Sequence, residues 1–562
     1  MSNDSKSGRR SGGQIICDVL LQEGVNAIFG MPGGASLPFY DALYHYPQIR
    51  HYLARHEQGA GFMADGYARA KNQVGVCTST SGPGATNFVT SMASAQMDSV
   101  PVVYITGQVA REFIGTDAFQ ETDATGVSIP VTKQNYLVKD IDELPRTVKE
   151  AFYLAKSGRP GPVHLDIPKD IFLAETDAPI PDEIEVRGYQ PASAGDSGMI
   201  RRAADLINEA KKPVIIAGHG VAISEAWDEL RVLAEKVNIP VITTLHGVGC
   251  FPETHPLSMG MLGMHGMYYA NIAVDQCDLL IGIGFRFDDR VTGRVSGFAP
   301  NAKIIHIDLD PAEIEKVVQT DVPIVGDAKA TLAQLNPIVG RAETDTWLDY
   351  LSKLRSEHPS ETPPDTDQFL PQHMIRQIYK HSDGKAKVIA DVGQNQMWAS
   401  QNFFYDHPLS FFSAGGTGPM GYALPAAMGV QVACPDDEVW CVTGDGGFQI
   451  NIQELAAVAE YKIPIKIGVM NNGHLGMIRQ WQNRFYDGRL MGAELANPPF
   501  DKVAEAYGIP GLVARTKDEA DEAIAKARSI DGPVLIDFMV AENEDCMPMV
   551  FPGASLAETV EA

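Results

Sequence analysis

The sequence has no CxxC pair, no apolar run of about 18 residues and no surplus of basic side chains. Its seven cysteines (Cys17, Cys77, Cys250, Cys277, Cys434, Cys441 and Cys546) show no short metal-ligand spacing. Their odd number argues against a disulfide framework. Most lie within apolar runs, which reads as buried thiols in a reducing compartment and predicts a cytoplasmic chain. With no long apolar run, no transmembrane helix is expected. The first fourteen residues, MSNDSKSGRRSGGQ, are a polar tail with no apolar segment behind Arg9 and Arg10, so no secretion signal is expected. Lys and Arg number 45 against 71 Asp and Glu, a net charge of −26, which excludes a general nucleic-acid surface. No short-period repeat is visible. The central third also lacks a complete G-x-G-x-x-G, so a dinucleotide site is only weakly signalled there.

What is present is the composition of a soluble globular protein, 44% hydrophobic and 21% charged. At about 100–200 residues per domain, 562 residues make three or four. A stretch rich in Pro, Asp, Gly and Ser, 174–198, and a polar, Pro-rich stretch, 358–369, read as linkers. They divide the chain into segments 12–180, 195–340 and 370–545, followed by a tail, 546–562. Each segment alternates helical periodicity with short apolar runs that stop at glycines. VNAIFG, VGVCTS, PVVYITGQ and PVHLDIP are the strands of the first. KPVIIAG, IPVITT, CDLLIGIG and AKIIHIDLD are those of the second. KVIADVG, VWCVTGD, IPIKIGVMNN and PVLIDFM are those of the third. The predicted architecture is α/β, three doubly wound parallel-sheet domains.

The densest chemistry lies at 444–472, GDGGFQINIQELAAVAEYKIPIKIGVMNN. A strand ending at Asp445, a helix with Ile452, Leu455, Ala456 and Ala459 on one face, and a strand ending at Asn472 make a βαβ unit. Its parallel strands end on the same sheet edge. One carboxylate and one amide oxygen suit Mg²⁺ that completes its shell with water and phosphate. The competing reading is a βα turn with Asp445 as a helix cap. In RHEQGAGFMADGYARA (55–70), Glu57 sits at a helix start, where a carboxylate is favoured by the dipole alone. SGPGATN (81–87) presents backbone NH groups at a strand end. Asp308 is of the kind that binds a ribose hydroxyl. Arg286 serves a phosphate, a substrate carboxylate or only Asp288. Met420, between Pro419 and Gly421, is either a wedge against a ligand or a core methionine. Met477, Trp481 and Phe485 follow the i, i+4, i+8 spacing of a core-facing stripe.

Taken together, these motifs resemble the thiamine diphosphate-dependent 2-oxo acid decarboxylase and carboligase superfamily. IGTDAFQE (114–121), SGRPGPV (157–163), MLGMHG (261–266), RFDDR (286–290), DVGQNQMW (391–398) and MVFPGAS (549–555) are similar to the catalytic large subunit of acetohydroxyacid (acetolactate) synthase. The likeness runs from about 12 to 555. It implies a pyrimidine-binding first domain, an FAD-binding central domain and a diphosphate-binding third domain. It implies Mg²⁺ held by Asp445, Asn472 and the His474 carbonyl, Glu57 on the aminopyrimidine, and Met420 holding the cofactor bent. Gln120 and Lys169 are implied catalytic residues, with Gly34 and Phe119 lining the opposite wall. Leu262, Gly263, Met264, His265, Gly284, Arg286, Asp288, Arg290 and Asp308 are implied around an FAD not used for net redox. Arg159, Gly218, Gly220, Asp327, Gly418, Gly444, Gly446, Gly447, Gly476 and Met477 are further implied cofactor contacts. Arg286 and Trp481 are implied to meet substrate. Three positions depart from the family's usual pattern: Pro419 in GPMG, Gly473-His474 after the paired asparagines, and Phe285 where alanine is frequent.

The activity implied is decarboxylation of pyruvate and transfer of the two-carbon unit to pyruvate or 2-oxobutyrate. The products are 2-acetolactate or 2-aceto-2-hydroxybutyrate, in the first common step of branched-chain amino acid biosynthesis. A homodimer or dimer of dimers and a separate small regulatory subunit are implied with it. The alternatives are another FAD-carrying thiamine diphosphate enzyme, such as a pyruvate oxidase, or a non-catalytic flavin-binding paralogue. Retention of Glu57, Asp445 and Asn472 counts against the last.

Overall fold

The computed structural model describes residues 8–360, 363 and 366–561. Half of the polar amino-terminal tail and part of the 358–369 connector therefore lie outside the described residues. The apolar runs of each segment form the inner strands of a six-stranded, all-parallel sheet. In the first sheet the order is Arg50–Leu53, Ala27–Gly30, Gly75–Ser79, Val102–Gln108, Val163–Pro168, Gln134–Leu137. In the third it is Phe411–Phe412, Lys387–Ala390, Val439–Gly444, Lys466–Asn471, Val534–Met539, Gly511–Ala514. Numbered from each domain's own first strand, both read 2-1-3-4-6-5. The central sheet runs Ser258–Met261, Val241–Thr243, Pro213–Ala217, Leu279–Ile283, Lys303–Asp308, Val322–Val325, or 3-2-1-4-5-6, the order of dinucleotide-binding sheets.

Six strands were not evident in the apolar pattern: Arg50–Leu53, Gln134–Leu137, Ser258–Met261, Val322–Val325, Phe411–Phe412 and Gly511–Ala514. All are edge strands. An edge strand pairs on one side only and is covered less; Arg50–Leu53 and Gln134–Leu137 accordingly carry polar residues, whereas Val322–Val325 and Gly511–Ala514 are apolar runs too short to stand out.

The first and third domains share one hydrophobic core. Its axis is the contact between the helices Glu57–Lys71 and Ala423–Ala433. The second of these buries ten of its eleven residues, so it is an interior helix. Backbone meets backbone there: a Cβ on Gly429 would fall 1.9 Å from the Met63 carbonyl oxygen, and one on Gly66 2.2 Å from that of Ala426. The central domain has its own core. The tail returns to it: the Val550 N–H donates to the Met264 carbonyl at 2.7 Å, and Val550 and Leu556 are buried among central-domain side chains. Each such aliphatic burial is worth about 1.5–3 kcal/mol.

The single helix expected over 451–461 is instead a 3-10 turn, Ile452–Glu454, followed by the helix Leu455–Tyr461, after a separate helix Asp445–Ile450. Leu455, Ala457 and Val458 are buried, while Ile452, Ala456 and Ala459 are only half-buried. The break shifts the face because Glu454 turns inward, where it accepts the Arg55 and His56 N–H groups at 3.0–3.1 Å.

Candidate active site

At the carboxyl edge of the third sheet, the strands Val439–Gly444 and Lys466–Asn471 pair directly, so the residues that follow them meet. Asp445 Oδ1 accepts from Gly446 N at 2.9 Å. Asp445 Oδ2 accepts from Gly473 N and from Asn497 Nδ2, both at 2.7 Å. Asn472 Oδ1 accepts from His474 N at 3.1 Å. The loop is folded back by Leu475 N donating to Ala493 O and Leu495 N to Gly473 O. Asp445 is 2% exposed, and no ion-pair partner lies on it among the described residues. Burial pushes its carboxyl up against the bonds from Asn497 and main-chain N–H groups that lower it. A buried carboxylate without a counter-ion is costly. A divalent cation would neutralise it, so the donor set fits Mg²⁺. Gly473 holds φ +69°, and a Cβ there would have nothing nearer than 4.0 Å, which leaves the space beside the clamp open.

The glycines around this edge make close approaches. A Cβ on Gly447 would reach the Asp391 carboxyl at 2.9 Å, and one on Gly476 would lie 2.0 Å from Gln394 Oε1 and 3.0 Å from Asn472 Nδ2. Gly444 precedes Asp445 as the helix N-cap. Gly418 and Gly421 hold φ +60° and +87°, turning the chain so that Met420 faces the clamp; a Cβ on Gly446 would lie 3.3 Å from its Cε. Asp391 ties the turn down by accepting Gly421 N and Ala423 N at 2.9 and 3.1 Å.

At the carboxyl edge of the first sheet, Gly34, Glu57, Phe119, Gln120 and Lys169 follow the ends of four different strands. Glu57 opens its helix and accepts from Asn87 Nδ2 at 2.9 Å, with its Oε1 3.4 Å from a Cβ placed on Gly84. It thus faces the 81–87 turn and does more than cap its own helix. Gln120 holds φ +61°, with its backbone against Gly82. Phe119 is 88% exposed, and Lys169 and Gly34 are exposed. Glu57 and Asp445 share no hydrogen-bond partner within the chain.

Between the domains lies a cavity of about 830 Å³, within the range of cofactor sites. Gly220 and Gly284 line it at the switch point of the central sheet, and Asp308 and Asp327 line it at the ends of the next two strands. Leu262, Met264, His265, Arg286, Asp288 and Arg290 line it from two loops that Met264 N joins to Arg290 O at 2.8 Å. Arg159 lines it from the first domain, held by Ser99, Asp310 and Glu313 at 2.9, 3.2 and 2.8 Å. Gly418, Met477 and Trp481 close the end nearest the clamp. Gly218 and Gly263 stand behind the wall, where a Cβ would meet the Gly284 and Arg290 carbonyls at 2.4 Å. Burial pushes Asp308 up to about 6 and His265 down to about 4. His265 Nε2 and Trp481 Nε1 have no hydrogen-bond partner among the described residues. Orphaned polar atoms in a cavity of this size fit a flavin dinucleotide. Arg286 lies 3.9 Å from Asp288, so the expected ion pair is loose. Phe285 lines the cavity, with its ring packed against Phe287 at 4.5 Å.

The core stripe expected from Met477, Trp481 and Phe485 is overturned. The buried residues of the helix Gly476–Phe485 are Arg479 and Gln480. Arg479 donates to Asn543 Oδ1 and to the Glu544 carbonyl at 2.7 and 2.8 Å, and Gln480 accepts from Cys546 N at 2.8 Å. Residues 543–546 bury the polar face, which frees Met477 and Trp481 for the cavity. Periodicity cannot see this, because the partners lie more than 60 residues away. Asn87, Asn497 and Asp391 were likewise not singled out.

The family described as thiamine pyrophosphate enzyme, N-terminal TPP binding domain, matches residues 10–127; its central domain matches 200–335 and its C-terminal TPP binding domain 391–538. Acetolactate synthase of Mycobacterium bovis is 48% identical over 558 residues, 97% of this chain and 90% of that protein. The acetolactate synthase large subunit of Corynebacterium glutamicum is 49% identical over 561 residues, 97% and 89% of the two chains. Acetolactate synthase of Arthrospira platensis is 47% identical over 562 residues, covering 97% and 96%. With three parallel-sheet domains in the matching order and likeness over nearly its whole length, the chain belongs to the acetolactate synthase large-subunit family of thiamine pyrophosphate enzymes.

Proposed function

We propose that the chain decarboxylates pyruvate and joins the two-carbon unit to a second 2-oxo acid. Pyruvate as acceptor gives 2-acetolactate, and 2-oxobutyrate gives 2-aceto-2-hydroxybutyrate, the first common step of branched-chain amino acid biosynthesis. The observation that carries this reading is the buried Asp445 carboxylate, without a counter-ion, at the edge of a sheet that matches a thiamine pyrophosphate-binding family. Bound thiamine diphosphate supplies the electron sink for decarboxylation and the carbon nucleophile for condensation. Asp445, Asn472 and the His474 carbonyl would hold Mg²⁺, with Gly444, Gly446 and Gly447 leaving room for phosphate. Met420 would support the cofactor's bend. Glu57, steadied by Asn87, would hold a proton at the far end. Gln120, Lys169, Gly34 and Phe119 would form the opposite wall and exclude water. We assign 12–180 to the pyrimidine, 195–340 to FAD, 370–545 to the diphosphate and 546–562 to a covering tail.

Glu57 and Asp445 share no hydrogen-bond partner within one chain, and Phe119 is 88% exposed. A homodimer or dimer of dimers with two jointly built sites accounts for both. The relatives called large subunits support a separate small regulatory subunit. No helix among the described residues is long and apolar enough to cross a membrane. Seven free cysteines, six of them buried, suit a cytoplasmic setting.

Product analysis with pyruvate alone, and with added 2-oxobutyrate, tests the activity. Acetolactate should form only with thiamine diphosphate and Mg²⁺ present; oxygen uptake with acetate as product would favour an oxidase. Trp481 discriminates between acceptors that differ by one methylene, a contact worth about 0.8 kcal/mol by burial and about 1–3 kcal/mol in a shaped pocket. Trp481→Leu should equalise the two products in competition while leaving pyruvate decarboxylation intact; an unchanged ratio rejects the role. Flavin binding is tested at Gly220, where a Cβ would lie 2.6 Å from Gly284 Cα. Gly220→Val should purify colourless, whereas a yellow variant with full flavin content would place FAD elsewhere.

A further inference from the structure

Asp98 ends the helix Val89–Asp98 in the first domain, yet its carboxylate serves the third. Oδ2 accepts from Gly415 N at 3.1 Å and Oδ1 from Gly416 N at 2.7 Å. These are the first residues of the loop 415–422, which carries Met420. Only glycine fits there: a Cβ on Gly416 would lie 2.9 Å from Asp98 Oδ1, and one on Gly415 2.4 Å from His246 Nε2. At the other end of the loop, the Tyr422 hydroxyl donates to Asp65 Oδ1 at 2.8 Å. One side chain joins the two anchors. Arg69 donates from Nε to Asp65 Oδ1 at 2.8 Å and from Nη2 to Asp98 Oδ2 at 3.0 Å. Asp65, Arg69, Asp98 and Tyr422 are all buried. The central domain adds His246, whose Nε2 lies 3.2 Å from Asp98 Oδ1. Arg69 Nη1 approaches His246 Nδ1 at 3.5 Å, so the imidazole lies against both Arg69 and Asp98. Burial alone would raise the Asp98 carboxyl, but His246, Arg69 and the Gly416 N–H outweigh it and hold the group well below the usual carboxylate range.

We propose that Asp65, Arg69 and Asp98 form a strap that fixes both ends of the 415–422 loop, making them positioning residues for the cofactor seat at Met420. The strap is costly in isolation, because two carboxylates share one guanidinium out of water. Its hydrogen bonds run to a loop of glycines, which has little side-chain packing of its own to define it. The role of the loop rests on the reading of Met420 given above; the strap itself does not.

The test uses Asp98→Asn, Tyr422→Phe and the double variant in the full-length protein, with two readouts. Hydrogen exchange of peptides covering 412–423 should quicken at least about tenfold in each single variant, because the loop amides lose or loosen their acceptor. Exchange in the helix Val89–Asp98 should stay as in the wild type. Thiamine diphosphate affinity in saturating Mg²⁺, read by tryptophan fluorescence, should fall about tenfold for Asp98→Asn and about fivefold for Tyr422→Phe. The double variant should fall about tenfold and not about fiftyfold, since either cut frees the same loop. Unchanged exchange and affinity in both single variants, or strictly multiplied losses in the double, would overturn the strap. If Asp98→Asn does not fold, Tyr422→Phe decides alone: it removes one hydroxyl and leaves Asp65 bound to Arg69, and normal exchange there overturns the proposal. A wild-type protein that makes no acetolactate, yet shows the exchange difference, refutes the function and leaves the strap standing.

Discussion

Mixing two inactive variants, Glu57→Gln and Asp445→Asn, is expected to restore about a quarter of wild-type activity, since two-fold symmetric sites make half the dimers mixed and half their sites intact. Each variant alone should lose about 10²–10⁴ in kcat, the range for a misplaced proton or a lost metal-dependent cofactor. The restoration follows from geometry. Glu57 is bound to Asn87 and the 81–87 turn at the first sheet's edge. Asp445 is bound to Gly446, Gly473 and Asn497 at the third sheet's edge. In the proposed homodimer, a site that needs both takes them from different copies. In a mixed dimer, one site receives both altered residues and the other receives neither. The measurement is acetolactate formation after the variants are co-expressed or allowed to exchange subunits. A mixture as inactive as its parents would place both residues in one chain's site, or remove one of them from the chemistry.

Replacing Gly429 by valine is expected to abolish soluble, folded protein. The new Cβ would sit 1.9 Å from the Met63 carbonyl oxygen and 2.8 Å from its carbon, both backbone atoms that cannot rotate away. The helices Glu57–Lys71 and Ala423–Ala433 would have to separate, opening the core shared by the first and third domains. Overpacking typically costs about 1–3 kcal/mol where side chains can yield, and more where only backbone can move. Total stability of a domain is about 5–15 kcal/mol. Gly429→Ala should already lower the melting temperature, and Gly66→Ala should do the same from the facing helix. The check is the soluble fraction and the thermal melt. A valine variant that melts within about 2 °C of the wild type, less than 1 kcal/mol moves a domain of this size, would show that the contact yields freely.

Much of the site was legible in the sequence because its parts end apolar runs. Asp445 and Asn472 close two such runs, and a parallel pair of strands brings run ends together whatever lies between. The four inner strands of each sheet were legible for the same reason: a strand buried on both faces is continuously apolar. The six edge strands were not. Arg50–Leu53 buries only Tyr52, Gln134–Leu137 buries no residue fully, and Phe411–Phe412 is too short to register.

The sequence by itself determined three parallel sheets, the carboxyl-edge residues Asp445 and Asn472 that end two paired strands, and the family. Only the tertiary structure decided which face of a helix is covered and which polar groups meet. Trp481 reaches the cavity because residues 543–546 claim Arg479 and Gln480 on the same helix. Asp98 became an anchor because a loop more than 300 residues later came to lie on it. Local periodicity reports how apolar a segment is along its own axis. A buried hydrogen bond is made with whatever the chain brings back, and its partner's identity is written elsewhere in the sequence.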